Sequence, residues 1–397
     1  MSRLPETAAA RAGIASDPAH RAVAPPVYLS ANFAFAGLGA TPRYDYTRSG
    51  NPTRDEFAAA LAELEGGSGC VVTASGMAAV SLVLQLLAPD ELVVLPHDGY
   101  GGTWRLVDAL ARRGQFEAVF VDQRDPVALA AALAKRPRLV WAETPSNPLL
   151  RVVDLAALAA GCRAAGALLA VDNTFCSPVG QQPLALGADV VVHSTTKYVN
   201  GHSDVVGGAV VARDAALHER FAWWANALGL AAAPFDCWLA LRGLRTLPLR
   251  MRQHADNAAA VAAVLAEHRA VRAVHYPGLP DHPDHALARR QQRGFGGMLG
   301  FELEDAGAVR RFLAGLSCFT LAESLGGVES LVAHPASMTH ASMSAEARAR
   351  AGIGDGLVRL SVGIEHVDDL LRDVRRGLDR AAERPAAEAG RAAAPAP

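Results

Sequence analysis

Lysine is nearly missing from this chain. Of the 38 basic residues among 397, only two are lysines, Lys135 and Lys197. A guanidinium stays protonated and cannot form a Schiff base, so in an arginine-rich chain a retained lysine can mark a required nucleophilic amine. Lys135, within Ala134-Lys135-Arg136-Pro137-Arg138, reads as a chance remnant. Cysteine is also sparse. The five (Cys70, Cys162, Cys176, Cys237, Cys318) are scattered and never form a C-x-x-C pair. That excludes a disulfide framework or zinc knuckle, nominates no metal site, and reads as a reducing cytoplasm with the thiols as small buried apolar groups. A basic excess is absent too: 38 basic against 40 acidic residues leave a formal charge of −2, which argues against a nucleic-acid or anionic-membrane partner.

Long apolar runs are missing as well. Residues 1–26 have no apolar h-region, so no signal peptide is readable, and Glu6 and Asp17 count against a transit peptide. Residues 66–89 carry no charge, but Thr73, Ser75, Gly76, Ser81 and Gln85 interrupt them, which fits soluble core better than a membrane span. With 51% hydrophobic and 20% charged residues, the composition is that of a soluble globular protein. The Ala/Pro-rich run 381–397 reads as a disordered tail.

Short β-branched runs at 70–74, 91–95, 117–121, 139–143, 168–171, 189–193 and 208–211 alternate with helical patterns such as 102–113, 126–135 and 155–166. This rhythm predicts an α/β fold, a mostly parallel sheet with helices on both faces. Beyond about residue 212, helical stretches 255–266 and 308–316 mix with strands 298–302 and 357–361, predicting a smaller C-terminal α+β domain. The expected divisions are an arm at 1–60, a ligand-binding domain at 61–254, the C-terminal domain at 255–380 and the tail. Tyr44-Asp45-Tyr46-Thr47-Arg48-Ser49-Gly50-Asn51-Pro52-Thr53-Arg54 is polar and turn-prone, and reads as a functional loop or an arm reaching elsewhere.

In such sheets the ligand sits beyond the carboxyl ends of the strands. Run 70–74 leads into Ser75-Gly76-Met77 and a helix start, an anion cradle suited to phosphate. Run 91–95 is followed by His97-Asp98-Gly99-Tyr100-Gly101-Gly102, where Tyr100 can cover an aromatic ring. Run 168–171 ends in Asp172-Asn173-Thr174, and run 189–193 in Ser194-Thr195-Thr196-Lys197-Tyr198. Taken alone, Asp172 is as well explained as a helix cap. Together these residues suit pyridoxal phosphate, which needs a lysine, a carboxylate for its pyridine nitrogen, and hydroxyls and N–H groups for its phosphate. Ser194-Thr195-Thr196-Lys197 is also an S-x-x-K match to penicillin-recognising serine enzymes, but Ser203-Asp204-Val205 replaces S-D-N and no lysine is left for K-T-G. A catalytically idle scaffold is the third reading, opposed by the intact lysine–carboxylate set.

Residues 44–54, 97–103, Glu143-Thr144-Pro145-Ser146-Asn147-Pro148, Val171-Asp172-Asn173-Thr174, 193–204 and 321–330 closely resemble the cystathionine γ-synthase and lyase family. This is the Cys/Met-metabolism branch of the fold-type I pyridoxal-phosphate-dependent transferases, which are aspartate-aminotransferase-like, and the likeness runs from about residue 26 to 380. The resemblance implies that Lys197 is the Schiff-base lysine and proton shuttle, that Asp172 pairs with the pyridinium and that Tyr100 stacks on the ring. It implies that Gly76, Met77, Ser194 and Thr196 hold the phosphate, that Asn147 lies at the cofactor's hydroxyl side and that Ser324 orients Lys197. Arg359 is similar to the arginine gripping the substrate α-carboxylate, and Glu323 to the acid of the γ-enzymes. Tyr46 and Arg48 would reach the phosphate of a neighbouring subunit, which implies at least a dimer and, from the family, a homotetramer made of two such dimers. Small-molecule partners follow from the same likeness: an O-acylhomoserine and cysteine, joined by γ-replacement, with cystathionine γ-lyase cleavage as the alternative. Gly102 stands where methionine γ-lyases carry a cysteine, which argues against methionine cleavage. Ser49 stands where a second arginine tends to follow in the succinate-using enzymes, so O-acetylhomoserine competes with O-succinylhomoserine; Arg105, one helical turn past Tyr100, is the compensating cation. Tyr100 and Lys197 are expected to be the acid–base pair, each with a pKa lowered by the cationic environment of the cofactor. His97, His193 and His202 read as structural hydrogen-bonders.

Overall fold

A computed structural model describes residues 3–383 apart from Ser342 and Ser344. Most of the tail expected at 381–397 therefore lies outside the described residues. Seven strands, β1 (Gly69–Thr73), β2 (Leu92–Pro96), β3 (Glu117–Val121), β4 (Leu139–Glu143), β5 (Leu168–Asp172), β6 (Val190–His193) and β7 (Gly208–Ala212), form one sheet in the order β1-β7-β6-β5-β4-β2-β3. Strands β2 to β6 pair in parallel, and β7 runs antiparallel to β1 and β6. All seven sit within one residue of the runs read from sequence. The sheet is covered on both faces because successive side chains point opposite ways. Val140, Ala142, Leu169, Val171 and Val191 enter one core, while Leu139, Trp141, Ala170, Val190 and Val192 enter another.

A second sheet follows, built from β8 (Ala273–His275), β9 (Met298–Glu302), β10 (Thr320–Leu321), β11 (Leu331–Ala333) and β12 (Leu357–Ser361), in the order β10-β11-β12-β9-β8. Phe301, Phe312, Leu360 and Val374 lie in its separate core. The helix Leu247–Glu267 is longer than the 255–266 pattern and runs through position 254. The helix Ala306–Ala314 begins and ends two residues before its pattern. Among the described residues no helix is long and apolar enough to cross a membrane.

One sequence reading needs correction. The end of the polar stretch 44–54 is not loop but the first turn of the helix Pro52–Glu65, and Asn51, Thr53 and Arg54 are buried, at 0%, 1% and 7% exposure. Local hydrogen bonding makes this burial affordable. Asn51 Oδ1 accepts from the N–H groups of Thr53 and Arg54, and Pro52 occupies the position where a missing N–H costs nothing. The Arg54 guanidinium donates to the carbonyls of Ala232, Thr47 and Arg48. Residues 30–47 remain irregular, shaped by their own bonds from Phe33 N–H to Asp45 O and Thr47 N–H to Ala31 O.

Candidate active site

The carboxyl ends of β1, β2, β4, β5 and β6 share one rim, and a cavity of about 340 Å3 opens there. Of the residues singled out from sequence, Gly76, Met77, Tyr100, Asn147, Asp172, Ser194, Thr196, Lys197, Glu323, Ser324 and Arg359 all line it. At one end the helix Gly76–Leu84 starts, capped by Ser75, whose Oγ accepts from Ala78 N–H. The N–H groups of Gly76 and Met77 have no partner within the helix, since the first turn lacks preceding carbonyls. A Cβ at position 76 would lie 2.8 Å from Ser194 Cβ and 3.1 Å from its Cα, so only glycine lets this helix start close on the Ser194 turn. Free N–H groups, the helix dipole and the hydroxyls of Ser194 and Thr196 make an anion cradle.

At the other end Lys197 Nζ donates to Ser324 Oγ at 2.8 Å. Burial lowers the Lys197 pKa to about 8; the nearby Arg359 charge adds to the fall, and Glu323 opposes it. Ser324 adopts φ +88°, a left-handed conformation rare for serine, and its carbonyl accepts from Arg359 Nη2 at 2.8 Å. Arg359 interrupts the otherwise apolar β12 at 3% exposure. Its Nη1 donates to Asn147 Oδ1 at 3.1 Å, and its buried Nε has no partner among the described residues. Burial pulls its pKa down to about 10, so it remains a cation. A buried guanidinium with an open donor beside a cavity is matched to a carboxylate.

Asp172, the last residue of β5, sits opposite Glu143, the last of β4, across the parallel ladder. Burial raises the pKa of both carboxyls. For Asp172 the bonds from Thr174 and the field of His193 offset this in part, while Glu143 is pushed further by the charges of Asp172 and Asp98. A cation placed against Asp172 would reverse its shift, because an opposite charge favours the ionised form. Tyr100, 41% exposed, begins the helix Gly101–Arg112 and donates its N–H to Glu143 Oε2 at 2.7 Å. The protein's own groups shift its phenol the other way from the fall expected beside a cationic cofactor. Burial raises the Tyr100 pKa, and the opposing fields of Arg105 and Arg359 are too weak to lower it. Of this pair, the protein's own groups lower only Lys197.

Three of the nominated residues lie outside the cavity lining. Arg105 is exposed and reaches Tyr100 only through its field. Arg48 donates to Asn226 Oδ1 and O, and Tyr46 is exposed on the irregular segment. The three histidines have protein partners: His97 with Arg151, His193 with the buried Glu65 at 2.6 Å, and His202 with Asn200 O. The sequence reading names Ser75 only as part of the cradle stretch and gives no role to Glu143, Thr174 or Thr339; all four also line the cavity. Ser75 carried a readable signal, a serine just before a helix, and Glu143 ends a parallel strand as Asp172 does. Thr339 lies in a connection with no such marker. Behind it, His340 donates to Asn147 O at 3.1 Å and is held neutral by burial, its pKa lowered to about 4.

The donor set fits pyridoxal phosphate: an anion cradle, an unprotonated-capable amine, a carboxylate seeking a cation, and an aromatic ring, all on one cavity. Comparisons with known proteins agree. The Cys/Met metabolism PLP-dependent enzyme family model matches residues 6–379. The cystathionine γ-synthase of Escherichia coli (strain K12) is 53% identical over 379 residues, 95% of this chain and 98% of that protein. A crystal structure of cystathionine γ-synthase from Xanthomonas oryzae pv. oryzae in complex with aminoacrylate and cysteine superimposes with a TM-score of 0.95 at 61% identity, over 96% of this chain and 99% of that one. A cystathionine γ-lyase structure from Lactobacillus plantarum, complexed with L-serine, gives 0.92 at 42% identity, over 95% and 99%. The chain belongs to the Cys/Met metabolism PLP-dependent enzymes, and is a pyridoxal-phosphate-dependent enzyme resembling the cystathionine γ-synthases across nearly its whole length.

Proposed function

We propose that the enzyme catalyses γ-replacement on an O-acyl-L-homoserine by L-cysteine, giving L-cystathionine and the free acid, with the O-succinyl ester as the principal substrate. The observation that carries this reading is the Arg359 guanidinium, with its unpartnered Nε, in one cavity with the Lys197 amine. The pair addresses the two fixed ends of an α-amino acid, carboxylate and amine. Similarity to synthases at 53% and 61% identity, above that to the γ-lyase structure, supports replacement over cleavage.

When bound, pyridoxal phosphate supplies the electron sink that makes Cα and Cβ protons removable. Gly76, Met77, Ser194 and Thr196 would hold its phosphate, Asp172 its pyridine nitrogen, Tyr100 its ring and Asn147 its hydroxyl side. Lys197, its amine lowered to a pKa of about 8 and so partly neutral near that pH, takes the Cα proton and returns it. Ser324 fixes the direction of that amine by accepting from it. Tyr100, at the edge of the same cavity, is the second acid–base group of the pair. Glu323, on the cavity wall, faces the Lys197 and Arg359 charges. For the succinyl carboxylate Arg105 is the candidate cation, since Ser49 is turned back onto Asp45 and Tyr46. Tyr46 and Arg48, outside their own cavity, would complete that of a neighbouring subunit, in a dimer that pairs into a tetramer.

The test is incubation of the holoenzyme with O-succinylhomoserine or O-acetylhomoserine, with and without cysteine, and identification of products by mass spectrometry. Cystathionine formed only with cysteine is the expected result, and faster turnover of the acetyl ester would change the acyl assignment. No turnover of either ester, with 2-oxobutanoate and cysteine released from supplied cystathionine, would move the enzyme to the γ-lyase reaction.

A further inference from the structure

Glu143 touches neither the phosphate cradle nor Lys197, yet its buried carboxyl is bonded at both oxygens. Oε2 accepts from Tyr100 N–H at 2.7 Å, and Oε1 accepts from Asn147 N–H at 3.1 Å. Asn147 Oδ1 in turn accepts from Arg359 Nη1, whose other terminal nitrogen holds the Ser324 carbonyl. One side chain thus ties the turn that carries the ring-covering tyrosine to the residue that orients the free guanidinium. We propose that Glu143 is a positioning residue for substrate recognition: by fixing Asn147 it aims Arg359 at the α-carboxylate of the amino-acid substrate. This inference rests on the reading of Arg359 given above.

The chemistry requires a carboxyl group here. Two backbone donors meet two acceptor oxygens, and the isosteric glutamine would turn an NH2 toward one of them. A buried N–H left facing another donor loses its bond and pushes away. In Glu143→Gln the Tyr100 turn or the Asn147 turn must shift, and Arg359 follows Asn147.

The test compares L-norvaline, an amino acid with no leaving group, with n-butylamine, the same molecule without its carboxylate. Both are titrated into holoenzyme through the change in cofactor absorbance. Wild type should bind norvaline the more tightly, and E143Q should lose about tenfold of that preference, the worth of one buried charge-assisted hydrogen bond, with butylamine affinity unchanged. In the E143Q/N147A double variant the two losses should not multiply, because both act through Arg359. An unchanged preference in E143Q, an equal weakening for both probes, multiplying losses in the double variant, or an E143Q protein that fails to fold or keep cofactor would each overturn the proposal. A wild type that does not distinguish the two probes would instead remove the Arg359 reading, and this inference with it.

Discussion

At the scale of single residues the cavity is governed by Lys197, a half-buried cationic side chain beside a second, buried cation, Arg359. Its ordinary pKa is 10.5, and in the fold it falls to about 8, burial being the first cause and Arg359 the next. The consequence for stability has a definite sign. Between about pH 8 and 10.5 the unfolded chain still binds the lysine proton while the folded chain has released it, so stability rises with pH across that window. Below pH 8 both states are charged, and the folded state carries the cost of a partly desolvated ammonium beside Arg359. Lys197→Met removes this dependence. In cofactor-free protein, the melting temperature of wild type relative to K197M should climb between pH 8 and 10, as read by paired calorimetric scans. Parallel curves would mean that the amine is hydrated like a surface lysine. The reloaded K197M enzyme should lose on the order of 10²–10⁴-fold or more in rate, the range for a positioned proton-transfer group. Lys197 and Asp172 are legible in sequence because one lies just beyond, and the other at the end of, a strand whose apolar run announces itself. Glu143 obeys the same rule, ending β4, but its carboxylate has no sequence signal that separates a site residue from an ordinary strand-end acid. The rise in the Tyr100 pKa could not be read at all, because it depends on how deeply a loop residue is packed.

Among the elements, those held by apolar pattern were legible and those held by polar caps were not. Asp373 illustrates the second kind, and it sits away from the cavity. On the helix Val367–Ala382, at 2% exposure, it accepts from the N–H groups of Ser317 and Cys318, both at 2.8 Å, from Phe319 N–H at 3.1 Å and from Ser317 Oγ at 2.9 Å. Burial alone would raise its pKa, but the backbone donors outweigh it and the net shift is downward. Asp373→Asn turns an NH2 toward these donors, and should cost about 2–3 kcal/mol in chemical denaturation at pH 7, with kcat and KM unchanged. A lowered carboxyl stabilises the fold above its unfolded pKa and stops doing so as pH falls through the folded one, so the gap between wild type and D373N should close in acid. A gap constant with pH would show that the charge of Asp373 is not what holds the Ser317–Phe319 turn. The same distinction explains the errors along the chain. Runs such as 139–143 and 208–211 give their strands away through short continuous apolar stretches, Leu139-Val140-Trp141-Ala142 in the first and Ala209-Val210-Val211 in the second. Asn51, Thr53 and Arg54 looked like loop because composition does not show that their polar atoms will be bonded locally and can therefore be buried. Strands of two or three residues, β8, β10 and β11, are too short to leave a periodic trace.

At the scale of the whole molecule the question is what the segment before the helix Pro52–Glu65 is for. It bonds mainly to itself, and it holds Leu29, Phe35, Leu38 and Tyr46 in the open, large apolar side chains that a lone globular chain gains nothing by exposing. Tyr46 and Arg48 stand outside the cavity of their own chain, while Tyr100 is partly exposed at its edge. A two-fold dimer in which each segment crosses to the other cavity would cover the apolar side chains and add a cation and a phenol to the phosphate end. Complementation tests this arrangement directly. K197A and R48A subunits should each be nearly inactive as separate proteins. In a mixed dimer, one site combines Lys197 of the R48A subunit with Arg48 of the K197A subunit and is whole, while the other site lacks both. With random pairing half of the dimers are mixed, and half of their sites are intact, so co-expressed subunits should recover about a quarter of wild-type activity. If Arg48 served its own chain, every site that kept Lys197 in the mixed dimers would lack Arg48. Mixing would then restore nothing, and the segment's exposed side chains would need another partner.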